Sequence, residues 1–390
     1  VTAPAGARTV RRHNLGLVLR QVAAAEPVAR ARVAELSGLT RGTVSSLVDE
    51  LLAGHLLEEL EADRGVPGRP ANPLRLSRSG PVALGVELNV DRASACVLDL
   101  SGAVRALRTV PSDGPAWSSP AAGLDAVAEL ARLVLAEAGG PRAVGAVAAV
   151  AGVVDRSGVL QQAPNLPGWA GLDVGAELTA RLGVDARAGN EADLGALGEL
   201  WFGGLDGVQD FLHVSGEIGV GAGIVLGGTL FGGGGGRAGE LGHVVVDPGG
   251  ALCRCGGRGC LEQVAGRRAL LAAAGVRTVD ALEAAADRGE PRAIEALAVA
   301  GRALGIAVVG AVNLLDVPAV VLGGVHARLG RWLVPPILAQ LAVRSRGGVC
   351  PEVLVSTLGS GAAVRGAAGS VVRALLDDPG AHLAGRAGAV

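Results

Sequence analysis

A small helical head carrying a winged helix-turn-helix, followed by a two-lobed α/β body, is the architecture that this sequence predicts. Three observations lead there. The first eighty residues read as helix, short helix, glycine turn, helix and two short strands. From residue 82 a strand, strand, strand, helix, strand pattern begins, and its opening recurs after residue 210. Between the second set of strands and the last helices lies a glycine-rich loop that holds three of the five cysteines. The boundaries expected are 1–80 for the head, 81–204 for the first lobe and 205–390 for the second, with the C-terminal helices packing back on the first lobe.

In the head, residues 14–24 place Leu15, Val18, Leu19 and Val22 on one helical face. A shorter helix is expected over 30–36, with Val33 and Leu36 inward and Ala29 where a Ser or Thr would make a better cap. Ser37-Gly38-Leu39-Thr40 supplies the turn, and Thr40 caps a third helix over 41–53 whose buried stripe is Val44, Leu47, Val48, Leu51 and Leu52. The opposite face offers Arg41, Thr43, Ser45 and Ser46, one long donor among short hydroxyls, which suits a major groove. Strands at 56–61 and 74–76 flank a wing at 63–70, where Arg69 is available to a phosphate or the minor groove. The alternative is a plain helical cap whose arginines are solvated charges.

In the body, strands are expected at 83–86, 93–98 and 104–109, a helix at 124–138 and a buried strand at 143–150. The span 111–122 reads as a flexible segment near the cleft. A rigid loop, 164–169, precedes a helix over 172–182, and Asn190, Glu191 and Asp193 come just before a helix at 194–202. Strands at 211–214 and 224–226 open the second lobe. Helices follow at 269–274, 279–287, 291–314 and 329–342, with a strand at 320–322. Asn165, Asn190, Glu191, Glu240, His243 and Glu262 converge on the expected cleft, and they suit a polyhydroxylated ligand whose hydroxyls each need a partner once desolvated.

Cys253, Cys255 and Cys260 stand at C-x-C-x4-C spacing with His243 ten residues upstream, a ligand set for tetrahedral zinc. Gly256, Gly257 and Gly259 let so short a loop turn its thiolates inward. With all four positions filled by protein the metal is expected to be structural, holding Glu240 and Glu262 in place. Clustered reduced cysteines without metal are the alternative.

Composition limits the function classes. The 390 residues include no Tyr, Met or Lys and only 2% aromatics, so the core must be Val, Leu and Ala. Five cysteines in so long a chain do not make a disulfide scaffold. The first residues show no apolar leader, and the apolar run 306–322 is broken by Asn313 and Asp316, so no membrane span and a cytoplasmic location are expected. Residues 1–80 hold 11 Arg against 8 acids, while the whole chain is −2, which leaves an acidic body under a basic head. That balance fits a nucleic-acid-binding module joined to a small-molecule domain.

Leu-Gly-Val-Glu-Leu at 84–88, Pro-Asn-Leu-Pro-Gly-Trp at 164–169, Gly-Asn-Glu-Ala-Asp at 189–193, Gly-Glu-Leu-Gly-His at 239–243 and Cys-Arg-Cys-Gly-Gly-Arg-Gly-Cys-Leu-Glu at 253–262 resemble the ROK family of sugar kinases and sugar-responsive repressors. The resemblance implies an actin-like, ribonuclease H-like ATPase fold of hexokinase type. It also implies that Asn165, Asn190, Glu240, His243 and Glu262 hold a sugar, and that His243 with the three cysteines holds zinc. His243 is then shared, with one ring nitrogen on the metal and the other towards the sugar. The family's kinases carry Asp where Glu191 stands, and Asp-x-Gly-Gly-Thr where this chain has Glu87, Asn89, Val90 and Asp91; Glu217 replaces a Thr in their second phosphate loop. These changes obstruct phosphate binding and leave Glu191 as a vestigial base.

The expected function is therefore a homodimeric or tetrameric repressor that binds operator DNA, is modulated by a monosaccharide or derivative, and associates with the nucleoid when bound. A sugar kinase with a DNA-binding head, and a regulator answering to a partner protein, are the alternatives.

Overall fold

Both lobes are built on the same five-stranded sheet. The computed structural model describes residues 6–61, 72–111, 119–345 and 350–387. Its head comprises α1 (Ala7–Ala25), α2 (Arg30–Ser37), α3 (Arg41–Ala53) and the antiparallel pair β1 (Leu57–Glu59) and β2 (Leu74–Leu76). Val28 extends this ribbon by exchanging backbone bonds of 2.9 and 2.8 Å with Leu74. Thr40 caps α3, its Oγ1 accepting from Thr43 N at 3.2 Å. Gly38, at φ 70°, ends α2 in the left-handed conformation that a side chain disfavours. Ala29 provides no side-chain cap. Leu36 is exposed, and Ala34 joins Val33 inside in its place, because the short helix is rotated towards α1 and α3. The wing tip, with Arg69, lies outside the described residues.

The first lobe runs β3 (Val82–Leu88), β4 (Arg92–Leu98), β5 (Val104–Pro111), α4 (Pro120–Glu137), β6 (Ala143–Val150), the short strands β7 (Val153–Val154), β8 (Val159–Gln162) and β9 (Leu172–Asp173), α5 (Val174–Leu182), β10 (Ala186–Asn190) and α6 (Glu191–Phe202). Sheet order is β10-β6-β3-β4-β5, antiparallel through β3, β4 and β5 and parallel through β3, β6 and β10. The second lobe repeats it as β13-β12-β11-β14-β15. Its elements are β11 (Phe211–Gly216), β12 (Val220–Leu226), β13 (Thr229–Leu230), α7 (Glu262–Ala265), α8 (Arg267–Ala274), α9 (Val279–Asp287), α10 (Pro291–Leu315), β14 (Ala319–Gly323), α11 (Gly324–Arg328), α12 (Gly330–Arg344), β15 (Glu352–Val355), α13 (Ala362–Asp377) and α14 (Gly380–Ala387). The two-lobed α/β architecture read from the sequence is therefore present.

Several boundaries differ, among them the start of α4 at Pro120 and of β12 at Val220, and three have a local cause. Residues 172 and 173 pair as a strand and Asp173 caps α5, its Oδ1 accepting from Ala176 N at 2.8 Å. Helix α6 begins at Glu191 rather than 194, because Asn190 is its N-cap. Helix α1 starts about two turns earlier than the apolar pattern, where its first residues face solvent.

Two helices crossing between the sheets join the lobes. Helix α6 closes on the second sheet at Gly223, where a Cβ would lie 2.5 Å from that of Ala196. Helix α13 closes on the first sheet at Gly85, where a Cβ would meet Val364 O at 2.2 Å. The two helices meet at Gly198 and Gly366: a Cβ on the first would lie 2.2 Å from Ala362 O, and on the second 1.8 Å from Leu194 O. Only glycine permits backbones so close. The other end of α13 packs against the head, with Val371, Leu375 and Leu376 in one apolar cluster with Leu15, Val18 and Leu19. Arg20 Nη1 reaches Asp377 Oδ1 at 3.1 Å, and Arg12 pairs with Asp378.

Helix α10 is long and apolar enough to cross a membrane by length and composition. Its buried face, including Leu297, Leu304 and Val308, lies in the core of the second lobe, and Gly301 admits Pro336 of α12. It is a core helix.

Candidate functional site

The parallel strands of the first lobe end in register at Leu88, Val150 and Asn190, and the site forms beyond these carboxyl ends, where open α/β sheets bind ligands. Asn190 is committed to geometry: its Oδ1 accepts from Ala192 N at 2.8 Å and Asp193 N at 3.1 Å, and its Nδ2 donates to Gly152 O at 2.8 Å. It thereby aims the first turn of α6, with Glu191 and Asp193, into the cleft. Glu191 accepts from Asn89 Nδ2 at 2.9 Å. Burial, then repulsion from Glu217 and Glu87, pushes its carboxyl up to about 8. Asp193 is pushed up to about 7 by burial, with Glu240 adding repulsion, and its Oδ1 is buried without a partner.

At the segment 87–91, where the sequence reads as having lost a phosphate loop, side chains fill the space. Arg92 Nη2 donates to Glu87 Oε1 at 2.8 Å and its Nη1 to Glu217 Oε2 at 2.7 Å, which ties the first lobe to the second. Asp91 makes the same kind of tie, accepting from Arg267 Nη1 at 2.5 Å. The cavity remaining among Glu87, Arg92, Glu191, His213 and Glu217 is about 10 Å³, room for about one water. Burial raises the Glu87 carboxyl, with Arg92 opposing and Glu217 reinforcing the rise. Burial alone would lower the Arg92 guanidinium, but Glu87 and Glu217 hold it above its ordinary value and therefore charged. His213, fully enclosed, is held down to about 4 and stays neutral.

The second lobe supplies the other wall. The ligand atoms of His243, Cys253, Cys255 and Cys260 all lie within 4.8 Å of one another. Cys253 Sγ is 3.7 Å from His243 Nδ1, and Cys255 Sγ is 3.6 Å from Cys260 Sγ. Tetrahedral zinc bonds of about 2.3 Å to sulfur and about 2.0 Å to nitrogen require S···S near 3.8 Å and S···N near 3.5 Å, so the cluster fits a metal of that kind. Cys260, pushed up to about 12 by burial and by the neighbouring thiols, shows what a cation would relieve. Nδ1 faces the sulfurs, and the other ring nitrogen, Nε2, lies 3.8 Å from Glu240 Oε2. Glu262 opens α7, and its carboxyl lies over Gly219, where a Cβ would come within 2.0 Å of Oε2 and push the carboxyl aside. Asn165 is held across the cleft by Arg254 Nη1, at 3.5 Å from its Oδ1, while Leu166 and Trp169 anchor its loop in the core.

On the head, Arg41, Thr43 and Ser46 are exposed along α3. Ser45 is partly covered and accepts from Arg30 Nη1 at 3.3 Å. The sequence had not singled out Arg92, Arg254 or Arg267. An arginine directly after Asp91 at a strand start was the only signal for the first, and its partner Glu217 is 125 residues away.

The ROK family model matches residues 83–373. The xylose repressor of Bacillus subtilis strain 168 is 26% identical over 380 residues, which cover 94% of this chain and 97% of that protein. The crystal structure of a ROK family transcriptional regulator, a homologue of the E. coli MLC protein, aligns with TM-score 0.80 and 26% identity over 95% of this chain and 97% of that one. A ROK family glucokinase from Streptomyces griseus, in complex with glucose and AMPPNP, aligns with TM-score 0.64 and 28% identity; it covers 74% of this chain and 98% of its own.

Proposed function

The chain belongs to the ROK family, and from that premise we propose that it is a sugar-responsive, DNA-binding transcriptional regulator, a repressor of carbohydrate uptake or catabolism genes. One observation carries the reading: Arg92, Glu87 and Glu217 tie the lobes together and leave only about 10 Å³ where transferred phosphates would lie. A kinase needs that place open and lined with backbone donors. The chain is a regulator and not a phosphotransferase, as its match to repressors along nearly its whole length also indicates.

In this reading Asn165, Asn190, Glu191, Glu240, His243 and Glu262 hold the hydroxyls of a monosaccharide or derivative, and Asn190 also orients Glu191 by capping α6. Zinc on His243, Cys253, Cys255 and Cys260 fixes the loop bearing Glu240 and Glu262; with no open position its contribution is structural. Arg41, Thr43, Ser45, Ser46 and Arg69 contact operator DNA. A dimer or tetramer places two such heads on a palindromic site in the cytoplasm. Sugar binding biases the lobes, and α13, which touches α6 at one end and α1 at the other, carries that bias to the heads.

Retention of promoter fragments with and without a sugar panel tests this. Fragments bound tightly and released, or held more strongly, by one sugar are expected; no retention, or retention indifferent to every sugar, would remove the reading. Arg41→Ala should weaken retention by about 1–3 kcal/mol and leave sugar affinity unchanged, as a groove contact requires. Cys255→Ser should lose its metal, measured by elemental analysis, and lose sugar affinity with it. Full metal content in that variant would contradict the ligand set.

A further inference from the structure

A cavity of about 720 Å³ opens where the head rests on the first lobe, and it shares no residue with the cleft. It lies beside β10, the last strand of the first sheet, under the end of α13 that reaches α1. Val147, Leu194, Val371 and Leu375 give it apolar walls, while Arg142, Asp185, Arg187 and the Arg12–Asp378 pair supply its polar groups. The charges do not cancel. Arg12 is spent on Asp378. Arg187 lies 4.0 Å from Asp185, with the two side chains 76% and 79% exposed, so that pair is weak. The backbone of Arg142 is anchored, its carbonyl accepting from Val82 N at 3.0 Å, but among the described residues its guanidinium has no hydrogen bond or ion pair. Arg142 also lines a second cavity of about 270 Å³, whose other walls include His55, just after α3, and Ser79 and Gly80 in the link between head and body.

We propose that the larger cavity is a second ligand site, for a small organic phosphate, at the joint between head and body. A guanidinium binds phosphate oxygens through paired N–H donors, and the two on Arg142 and Arg187 match the nearly double charge of a phosphate monoester better than the single charge of a carboxylate. The apolar walls take the carbon body of the ligand, and Asp185 accepts from one of its hydroxyls. Arg12 belongs to α1, while Val371 and Leu375 belong to α13. The ligand therefore touches head and body at once, and its binding bears on how they are held together. This site is independent of what the cleft binds.

Calorimetric titration of the full chain with glycerol 3-phosphate and with glycerate, its carboxylate counterpart, tests this. The phosphate is expected to bind with a Kd of about 1 mM or tighter, and glycerate at least about tenfold more weakly. Hydrogen exchange at residues 183–189 should slow when the phosphate is bound. Arg142→Gln and Arg187→Gln should each weaken binding about tenfold, and since both side chains are exposed neither change threatens folding. Arg302→Gln, which alters an arginine of α10 outside the cavity, should leave binding unchanged. The proposal is overturned by no saturable binding, by glycerate bound as tightly as the phosphate, or by binding that ignores both cavity variants. An equal loss in all three variants also overturns it, since that is diffuse attraction of anions and not a site.

Discussion

Replacing Gly366 with valine is expected to destabilise the protein by more than about 3 kcal/mol, near the upper limit for overpacking a close contact. A Cβ at this position would lie 1.8 Å from Leu194 O and 2.7 Å from Gly198 N, and both neighbours are backbone atoms of α6 that cannot swing aside. Helix α13 must then lift off α6, and since α13 also packs on β3 and on the head, three interfaces loosen together. Denaturant midpoints measure the effect. Gly310 of α10 is the control, for a Cβ there meets nothing within 4 Å, and Gly310→Ala should stabilise by up to about 1 kcal/mol. An unchanged midpoint for the Gly366 variant would mean that the helices do not cross as described. Because α6 begins at the cleft with Glu191, the same variant should also lose sugar affinity.

Removal of the Arg92 guanidinium is expected to cost about 3–5 kcal/mol, as is usual when one partner of a buried ion pair is left alone. Glu87 and Glu217 would face each other uncompensated, with Glu191 beside them. The loss should depend on pH. Glu191, at about 8 in the folded protein against an ordinary 4.5, binds a proton more readily folded than unfolded. Its share of stability is therefore complete below about 4.5 and drains away as pH rises towards 8. Burial raises Glu87 in the same direction. With Arg92→Ala the carboxylates lose the one cation that, among the described residues, they share in this cavity, so the gap between variant and parent should widen from pH 6 to pH 8.5. Chemical denaturation at the two values checks it; an equal gap would show that Arg92 does not compensate these carboxylates.

Much of this could be read before any coordinates. Apolar periodicity gave α3 and α10, and the repeated strand pattern gave the two lobes. The metal cluster was legible because its four ligands sit within eighteen residues, so their meeting needs only local turns. What escaped depended on distance in sequence or on glycine. Helix α13 was not assigned, since Gly366 and Gly369 weaken a helical pattern whose reason is α6 beneath them, its backbone under Gly366 and the Trp201 and Phe202 rings under Gly369. The Arg92 bridge was hidden because Glu217 belongs to the other lobe; the sequence showed a phosphate loop lost, but not the ion pair that filled its place. The capping role of Asn190 on the start of α6, with its bond to Gly152, was not legible beside its reading as a ligand contact. Ser45 was read as a groove contact, and Arg30 occupies it in part.

The central claim is that the cleft takes a sugar without any nucleotide, the phosphate place having been sealed by the protein's own charges. Titration of one preparation first with MgATP and then with the sugar that alters operator retention tests it most directly. The account predicts no saturable heat from MgATP, stoichiometric binding of the sugar alone, and no sugar phosphate formed when both are present. A one-to-one MgATP isotherm, or phosphorylation of the sugar at an enzymatic rate, would contradict it.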